Sequence, residues 1–328
     1  MSSQQSGCAA ISAIITTYND ANFLADALAS VAAQTVRPAQ VLVVDDGSDG
    51  DAAASITAQA AERHGLTVEY VRRPHAGPSA TRNAGLALAT QEFVAFLDAD
   101  DVWMPDHLER KLARLAARDG RYSTSYDGYI NIDVDGRPLW TMSSGDYDGP
   151  IDGRLMGSRY GLPAGMPYHL HRRAALTAVD GFDPNLTMGE DFDLLLRLER
   201  AGYWMTGSSQ PTVWRRLRNG SLTTLDHQRT LLETERFLAK AEREDLLPAA
   251  ALAQMRKGLR LRLARGVLAR NGNLATVAPL LDEAFTIEGP RGAGQWLLYL
   301  AARVRAPRAV LRLLATSRRK GGAPPRNR

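Results

Sequence analysis

Three clusters of polar residues stand where short apolar runs end: Thr16, Thr17 and Tyr18; Asp45 and Asp46; and Asp98, Asp100 and Asp101. A fourth, Glu190 with Asp191, opens a leucine-rich run. In Asp98-Ala99-Asp100 two carboxylates one residue apart can turn oxygens toward one hard cation, its other positions filled by water and phosphate, as in a Mg2+ or Mn2+ site. Asp45-Asp46-Gly47-Ser48 equally fits a turn that caps the next helix. Glu190 and Asp191 precede Phe192, Leu194, Leu195, Leu196 and Leu198, so a carboxylate there lies beside an apolar wall and can serve as a general base. Acids in a first helical turn are also stabilised by the helix dipole with no active site at all. Thr16 and Tyr18 offer a hydroxyl and a ring to a nucleotide, or simple packing at a strand end.

The elements that must position these groups alternate. Ile11 to Tyr18 is a short apolar, β-branched run bounded by Asn19 and Asp20, which predicts a buried strand. Leu24, Ala27, Leu28 and Val31 then make one helical stripe, with Asp20 or Asn22 available as its cap. The pattern repeats as strand 41–44, helix 52–64, strand 66–71, helix 78–89 and strand 93–97. Alternating strands and helices imply a mostly parallel sheet covered on both faces, with ligands at the edge where the strands end. A helix is expected over 104–119, loops and short strands over 122–165, helices over 171–179 and 190–201, and a last strand over 212–218. From Asp226 onward the chain is expected to be helical, broken around 271–273 and at Pro307.

The chain has 328 residues, 45% hydrophobic and 23% charged, which excludes wholesale disorder and provides for one large or two modest domains. A single cysteine, Cys8, forms no internal disulfide, and no basic-then-apolar signal peptide opens the chain, so a cytoplasmic protein is expected. No apolar stretch is long enough to span a bilayer. The net charge of +4 conceals opposite halves: residues 1–255 hold 24 Lys+Arg against 33 Asp+Glu (−9), and 256–328 hold 16 against 3 (+13). The acidic body suits a metal, and the basic segment suits an anionic surface or is a solvated helix face. Trp296, Leu297, Leu300 and Val304, beside Arg303, Arg305, Arg308 and Arg312, form an apolar and basic stripe. It is compatible with peripheral contact at the inner face of a membrane, or with packing on the rest of the chain or on a second copy in a homo-oligomer.

Taken in order, ITTYND, VLVVDDGSDG, GPSATRNAGLALA, FVAFLDADDVWMPDHL and GFDPNLTMGEDFDLLLRL resemble the successive motifs of family 2 inverting glycosyltransferases of GT-A fold, over about residues 10–222. The resemblance implies an α/β, Rossmann-like GT-A domain over 1–225; the residue pattern beyond it predicts an α-helical domain over 226–320 and a disordered basic tail over 321–328. It implies transfer of a sugar, with inversion, from a nucleotide diphosphate sugar, UDP-sugar by default, to a hydroxyl of a glycan, lipid-linked saccharide or small metabolite, with Mn2+ or Mg2+ and no nucleic acid. On the matching positions, Thr16, Tyr18 and Asp46 meet the nucleoside, Arg82 supports the nucleotide side, Asp98 meets the ribose or the metal's waters, and Asp100 ligates the metal. Asp191 is the base, with Glu190 beside it orienting the acceptor.

One position departs from the family pattern: where relatives carry Y-R-x-H, the chain has Trp214-Arg215-Arg216-Leu217. Leu217 replaces the histidine, so either Arg215, Arg216 or Arg218 is expected to supply the missing positive charge, or a weaker metal affinity is expected. Tyr168, His169 and His171 lie where an acceptor could pass. The alternatives are a sugar nucleotidyltransferase, disfavoured because no glycine-rich loop follows the first strand, a glycosidase using Asp98 or Asp100 with Asp191, and a catalytically silent nucleotide-sugar-binding scaffold.

Overall fold

Ile11, Ala13, Ile14 and Ile15 of β1 (Ala9–Thr17) are inaccessible to solvent, so both faces of the strand are covered, the environment in which an unbroken apolar run is stable. The structure, a computed structural model, describes residues 8–143, 145–151, 165–218, 227–269, 274–290 and 292–303, and the chain divides into two units, Met1–Thr224 and Leu225–Arg328. In the first unit β1 lies parallel between β2 (Pro38–Asp45) and β4 (Phe93–Asp98), and β3 (Val68–Arg72) adds to β2 in the same sense. The crossovers are α1 (Ala21–Ala32), α2 (Ala52–His64) and α3 (Pro78–Leu88). Thr16 is in register with Val44 on one side and Asp98 on the other, so β1, β2 and β4 end together and their terminal polar residues share one edge.

Helix α3 reaches that edge because Gly85 lets it lie against β1. A Cβ on Gly85 would stand 2.4 Å from Cγ2 of Ile14, a fully buried side chain with nowhere to go. The same helix is pinned at its other side: Asn83 donates to the carbonyl of Phe182 at 2.7 Å and accepts from its N–H at 2.8 Å, and Ser79 donates to the carbonyl of Leu186.

Beyond β4 come β5 (Val102–Trp103), α4 (His107–Ala116), β6 (Tyr122–Ile132), β7 (Pro138–Met142) and β8 (Tyr147–Pro150). A 3-10 turn (Met166–Tyr168), β9 (His169–Arg172), α5 (Arg173–Ala178), α6 (Glu190–Arg200) and β10 (Trp204–Arg216) complete the unit. The sheet order is β3-β2-β1-β4-β9-β6-β10-β5, with β9 antiparallel to β4 and β6, and β6 parallel to β10. Its first half is therefore parallel and its second half mixed, because β9 enters from the opposite direction.

Three expectations change here. Residues 122–132 are not loop but an 11-residue central strand. It is hidden in the sequence because its buried side chains are polar and satisfied internally. Asp127 accepts from Lys111 Nζ at 2.7 Å and from Arg114, and Thr124 pairs with Nδ1 of His171. Burial outweighs Asp127 and pushes the Lys111 amine down to about 8. The helix expected over 171–179 is only Arg173–Ala178, since His169–Arg172 is β9, whose two histidines face a buried polar layer. The strand expected over 212–218 starts at Trp204, with its irregular pairing to β6 between Ser208 and Val213 breaking the alternation.

The second unit is α-helical in its described residues: α7 (His227–Arg243), α8 (Ala249–Ala269), α9 (Leu274–Ile287) and α10 (Gly292–Arg303). Leu259, Ala264, Val277, Leu281, Ala284 and Leu298 form its core, whereas Trp296, Leu297 and Leu300 of α10 are exposed. The expected boundary near 225, the break at 271–273, Val304 to Arg319 and the tail at 321–328 lie outside the described residues.

Gly85→Ala should lower the urea midpoint at unchanged slope, by about 1–3 kcal/mol of stability, because the clash with Ile14 exceeds the ~1 kcal/mol that alanine gains in a helix. An unchanged or higher midpoint would show that the contact between α3 and β1 is not tight.

Candidate active site

At the strand-end edge one guanidinium gathers three carboxylates from two elements. Arg82, 5% exposed, donates from Nη2 to Oδ1 of Asp98 at 3.0 Å, and from Nη1 to Oε1 of Glu190 at 2.8 Å and Oδ1 of Asp191 at 3.4 Å. Thr16 Oγ1 donates to the same Asp98 oxygen at 3.1 Å, and the guanidinium lies 5.6 Å from the centroid of the Phe182 ring. Burial alone would drive Arg82 toward neutrality, but Asp98, Asp191 and Glu190 outweigh it and hold the cation above its usual value.

Glu190 and Asp191 enter this cluster because α6 starts there. Gly189 at φ 83° takes the left-handed conformation that aims the first turn, and Glu190, Asp191 and Asp193 complement the positive helix end. Burial pushes the Asp191 carboxyl well above the usual carboxylate range and the neighbouring Glu190 charge adds to this, whereas Arg82 and the backbone N–H of Met166 oppose it.

Asp100 faces a different cation. Its Oδ2 accepts from Nε of Arg218 at 2.8 Å, and Nη2 of Arg218 reaches Oδ2 of Asp20 at 2.5 Å. Burial and the charge of Asp98 raise the Asp100 carboxyl against the pull of Arg218, and burial pushes Asp20 up to about 6 for the same reasons. Asp101 is buried, accepts the backbone N–H of Arg216 at 2.9 Å, and is pushed well above the usual range by burial and by Asp100. Of the three arginines near Leu217, only Arg218 reaches the Asp100 carboxylate. Arg216 bonds Asp26 and the carbonyls of Asp100 and Val134, and Arg215 bonds Asn131. Leu217 is half-buried and gives its N–H to Ile132.

The third part of the edge is a clamp built on Asp46. Its carboxylate accepts the N–H groups of Ala76 and Gly77, each at 2.9 Å, and meets Nδ1 of His75 at 2.8 Å. Gly47, at φ +79°, passes so close that a Cβ would stand 2.8 Å from the backbone nitrogen of His75. Tyr18, 44% exposed, stacks on the His75 ring at 4.2 Å between centroids. Asp45, in contrast, is buried and takes the hydroxyl of Tyr70 and the N–H of Ser48.

Thus Thr16, Arg82, Asp98, Glu190 and Asp191 converge, Asp100 lies beside them through its own cation, and Asp46 with Tyr18 forms the adjoining corner. His169 and His171 are fully buried and Tyr168, 5% exposed, stacks on Tyr129, so none of the three is available to an acceptor. Asp20 is at the N-cap position of α1 but makes no side-chain cap bond, its carboxylate being engaged by Arg218. Sequence reasoning missed both Asp20 as a partner of Asp100 and His75 as the ring under Tyr18; neither residue carries a spacing signal, since each is joined to its partner only by folding.

Among the described residues no set of three or more acidic, His or Cys side chains is arranged to hold a metal. What is present is a set of hard carboxylate oxygens shared between two arginines, Asp98 on Arg82 and Asp100 with Asp20 on Arg218. Such a donor set fits a Mg2+ or Mn2+ ion that takes one or two carboxylates and completes its shell with water and substrate phosphate.

Comparison with known proteins agrees with this architecture. The model of "Glycosyl transferase family 2" matches residues 12–164. TarS 1–349 of S. aureus, in complex with UDP-GlcNAc, superposes with a TM-score of 0.62 at 20% identity, covering 95% of this chain and 92% of that one. The mannosyltransferase PcManGT of Pyrobaculum calidifontis, in complex with GDP-Man and Mn2+, gives 0.57 at 19%, covering 95% and 87%. These likenesses establish the GT-A fold with helices following it. Several curated relatives are much longer than the stretch they share with the chain, which spans 25% of one from Rickettsia bellii and 31% of one from Nostoc. The amylovoran biosynthesis glycosyltransferase AmsB of Erwinia amylovora is 30% identical over 207 residues, 61% of this chain and 67% of its own length. With that likeness, and with the matched family model running from β1 past β8, the chain belongs to glycosyl transferase family 2.

Proposed function

We propose that the chain transfers a sugar from a nucleotide diphosphate sugar, UDP-sugar by default, to a hydroxyl of a glycan, lipid-linked saccharide or small metabolite. The observation that carries this is the Arg82 bridge. One buried cation joins Asp98, at the edge where a nucleotide would lie, to Asp191, the carboxylate with a raised proton affinity. Family membership and the nucleotide-sugar complexes of TarS and PcManGT support the donor class, and AmsB supports a role in polysaccharide assembly.

In this scheme the base stacks at the Tyr18–His75 corner, which Asp46 holds in shape, and Thr16, Arg82 and Asp98 support the nucleotide from the ends of β1, α3 and β4. Asp191 takes the proton of the acceptor hydroxyl, positioned with the help of Glu190. The hydroxyl oxygen forms the new bond to the anomeric carbon as the bond to the diphosphate breaks, and the nucleoside diphosphate leaves with that electron pair. A single displacement from the opposite face inverts the anomeric centre. Asp100 and Asp98 would hold a divalent cation, which when bound would supply charge neutralisation at the diphosphate. Arg82 opposes the rise in the proton affinity of Asp191 that burial and Glu190 cause.

Asp191→Asn should lower kcat by about 10²–10⁴-fold while nucleotide binding persists, measured as product formation with a matched donor. In the unaltered chain kcat/KM should fall as pH drops through the raised Asp191 value, above the usual carboxylate range. Undiminished turnover in the variant would remove Asp191 from the chemistry.

A nucleoside diphosphate with Mn2+, at about 100 times its Kd, should stabilise the native state by ~2.7 kcal/mol and raise Tm. A screen over UDP, GDP, dTDP and CMP with Mn2+, Mg2+ or EDTA identifies the nucleotide. Asp100→Ala should abolish the metal-dependent part of the shift; a shift that EDTA does not diminish would exclude the metal.

Peripheral membrane contact belongs to the same proposal. Among the described residues no helix is long and apolar enough to cross a membrane, and α10 exposes Trp296, Leu297 and Leu300 in the basic part of the chain. Replacing the three by alanine should abolish flotation with anionic liposomes; flotation that is absent in the unaltered chain or unchanged in the variant removes the membrane from the scheme.

A further inference from the structure

All five residues of β7 are exposed, so this strand adds nothing to the core. Trp140 keeps 49% of its surface in solvent and Met142 45%. Single exposed apolar side chains are ordinary; what distinguishes these two is the face they share. β7 pairs antiparallel with β6, Trp140 opposite Asn131 and Met142 opposite Tyr129. β6 in turn pairs with β10, Asn131 beside Arg215 and Tyr129 beside Val213. Residues opposite one another in a ladder stand on one face of the sheet, so Trp140, Met142, Asn131, Tyr129 and Arg215 share a face and Leu139 lies on the other.

That face leads to the catalytic cluster. Asn131 donates to the carbonyl of Trp140 and accepts from Nη1 of Arg215, both at 3.3 Å, tying the backbone under the exposed ring to the arginine. The Arg215 guanidinium lies 5.9 Å from the centroid of Tyr129, and Tyr129 stacks on Tyr168 at 4.2 Å. Tyr168 closes the turn Met166–Tyr168, whose first residue gives its N–H to Asp191. Trp140 stands two strand spacings from Arg215, about 10 Å, with the tyrosine pair and the turn between that row and Asp191. One sugar cannot touch both Trp140 and Asp191.

A pyranose has an apolar C–H face and a rim of hydroxyls. A flat indole takes the first, and the N–H fork of an arginine takes the second. We propose that the β6–β7 ribbon is an acceptor platform: Trp140 stacks on a sugar ring remote from the reacting hydroxyl, and Arg215 holds hydroxyls between that ring and Asp191. The acceptor is then a saccharide chain of several residues, free or lipid-linked, rather than a small metabolite. A polypeptide seated on this face would cover the approach to Asp191 that a glycosyltransferase acceptor needs, which favours the saccharide as occupant. The inference rests on the glycosyltransferase proposal above and narrows its acceptor.

The test is a calorimetric titration of the full chain, held with UDP or with the nucleotide that the thermal screen selects, against gluco-, galacto- and manno-oligosaccharides of one to four residues. In at least one series Kd should fall with length in the unaltered chain, and Trp140→Ala should lose about tenfold in affinity for the longest member while leaving the single sugar unaffected. Trp140→Phe should retain most of the gain, and Trp140→Gln carries the comparison if the alanine variant does not fold. Leu139→Ala, on the opposite face, should bind as the unaltered chain does; an equal loss there marks a general disturbance of the ribbon and overturns the platform. Affinity that does not rise with length in any series, or that Trp140→Ala leaves unchanged, overturns it too, and nucleotide binding in the same samples then leaves the transferase proposal standing. Dimerisation that Trp140→Ala abolishes assigns the face to a second copy and likewise overturns the inference. A chain that binds no nucleotide and no saccharide overturns both.

Discussion

A buried arginine with three acidic partners is the constraint on which the rest of this unit depends. A charge as enclosed as Arg82 costs several kcal/mol to desolvate, and only the convergence of Asp98, Glu190 and Asp191 repays it. In return the ion cluster fixes α3, the end of β4 and the start of α6 relative to one another, elements separated by up to 109 residues in the chain. Gly85 is the steric counterpart of this electrostatic tie, and Asn83 with Ser79 extends it along the loop that leads to α6. Packing, hydrogen bonding and charge thus position the same helix.

The mixed half of the sheet has a different logic. In β1, β2 and β4 the apolar side chains fill both faces, whereas β6 carries serine, threonine and aspartate into full burial. The cost is contained because nearly every group finds a partner: Asp127 takes Lys111, Arg114, Ser208 and Thr212, and Thr124 meets His171. This layer seats β10, whose far end delivers Arg216 to Asp26 and the turns beside Asp101, and Arg218 to Asp20 and Asp100. A polar core on one side of the sheet therefore sets where positive charge meets the acidic edge on the other.

That edge is charge-frustrated by construction. Burial raises the proton affinity of Asp20, Asp100 and Asp101, the charge of Asp98 adds to all three, and Arg218 opposes the rise at Asp20 and Asp100. Beside it, the Asp46 clamp holds an aromatic corner of Tyr18 on His75 at the surface, a shape suited to a flat, polar-edged ring.

Much of this was legible in the residues themselves. Helix 52–64 and the strands around 11–17, 41–44 and 93–97 follow from local periodicity, which is a property of neighbours and survives in any window of the chain. Motif order singled out Asp46, Asp98, Asp100, Glu190, Asp191 and Arg82 as candidates, and the fold brings Asp98 at the end of β4, Arg82 inside α3 and Glu190 and Asp191 at the start of α6 into contact. Periodicity failed where burial was polar, at β6 and β9, since hydroxyls and histidines satisfied inside the sheet leave no apolar rhythm to detect. Pairings across the chain could not be read at all. That Arg82 would bind Asp191, that Asp20 would leave its capping role for Arg218, and that His75 would lie under Tyr18 depend on distances between segments, and sequence fixes such distances only through the packing of the whole fold.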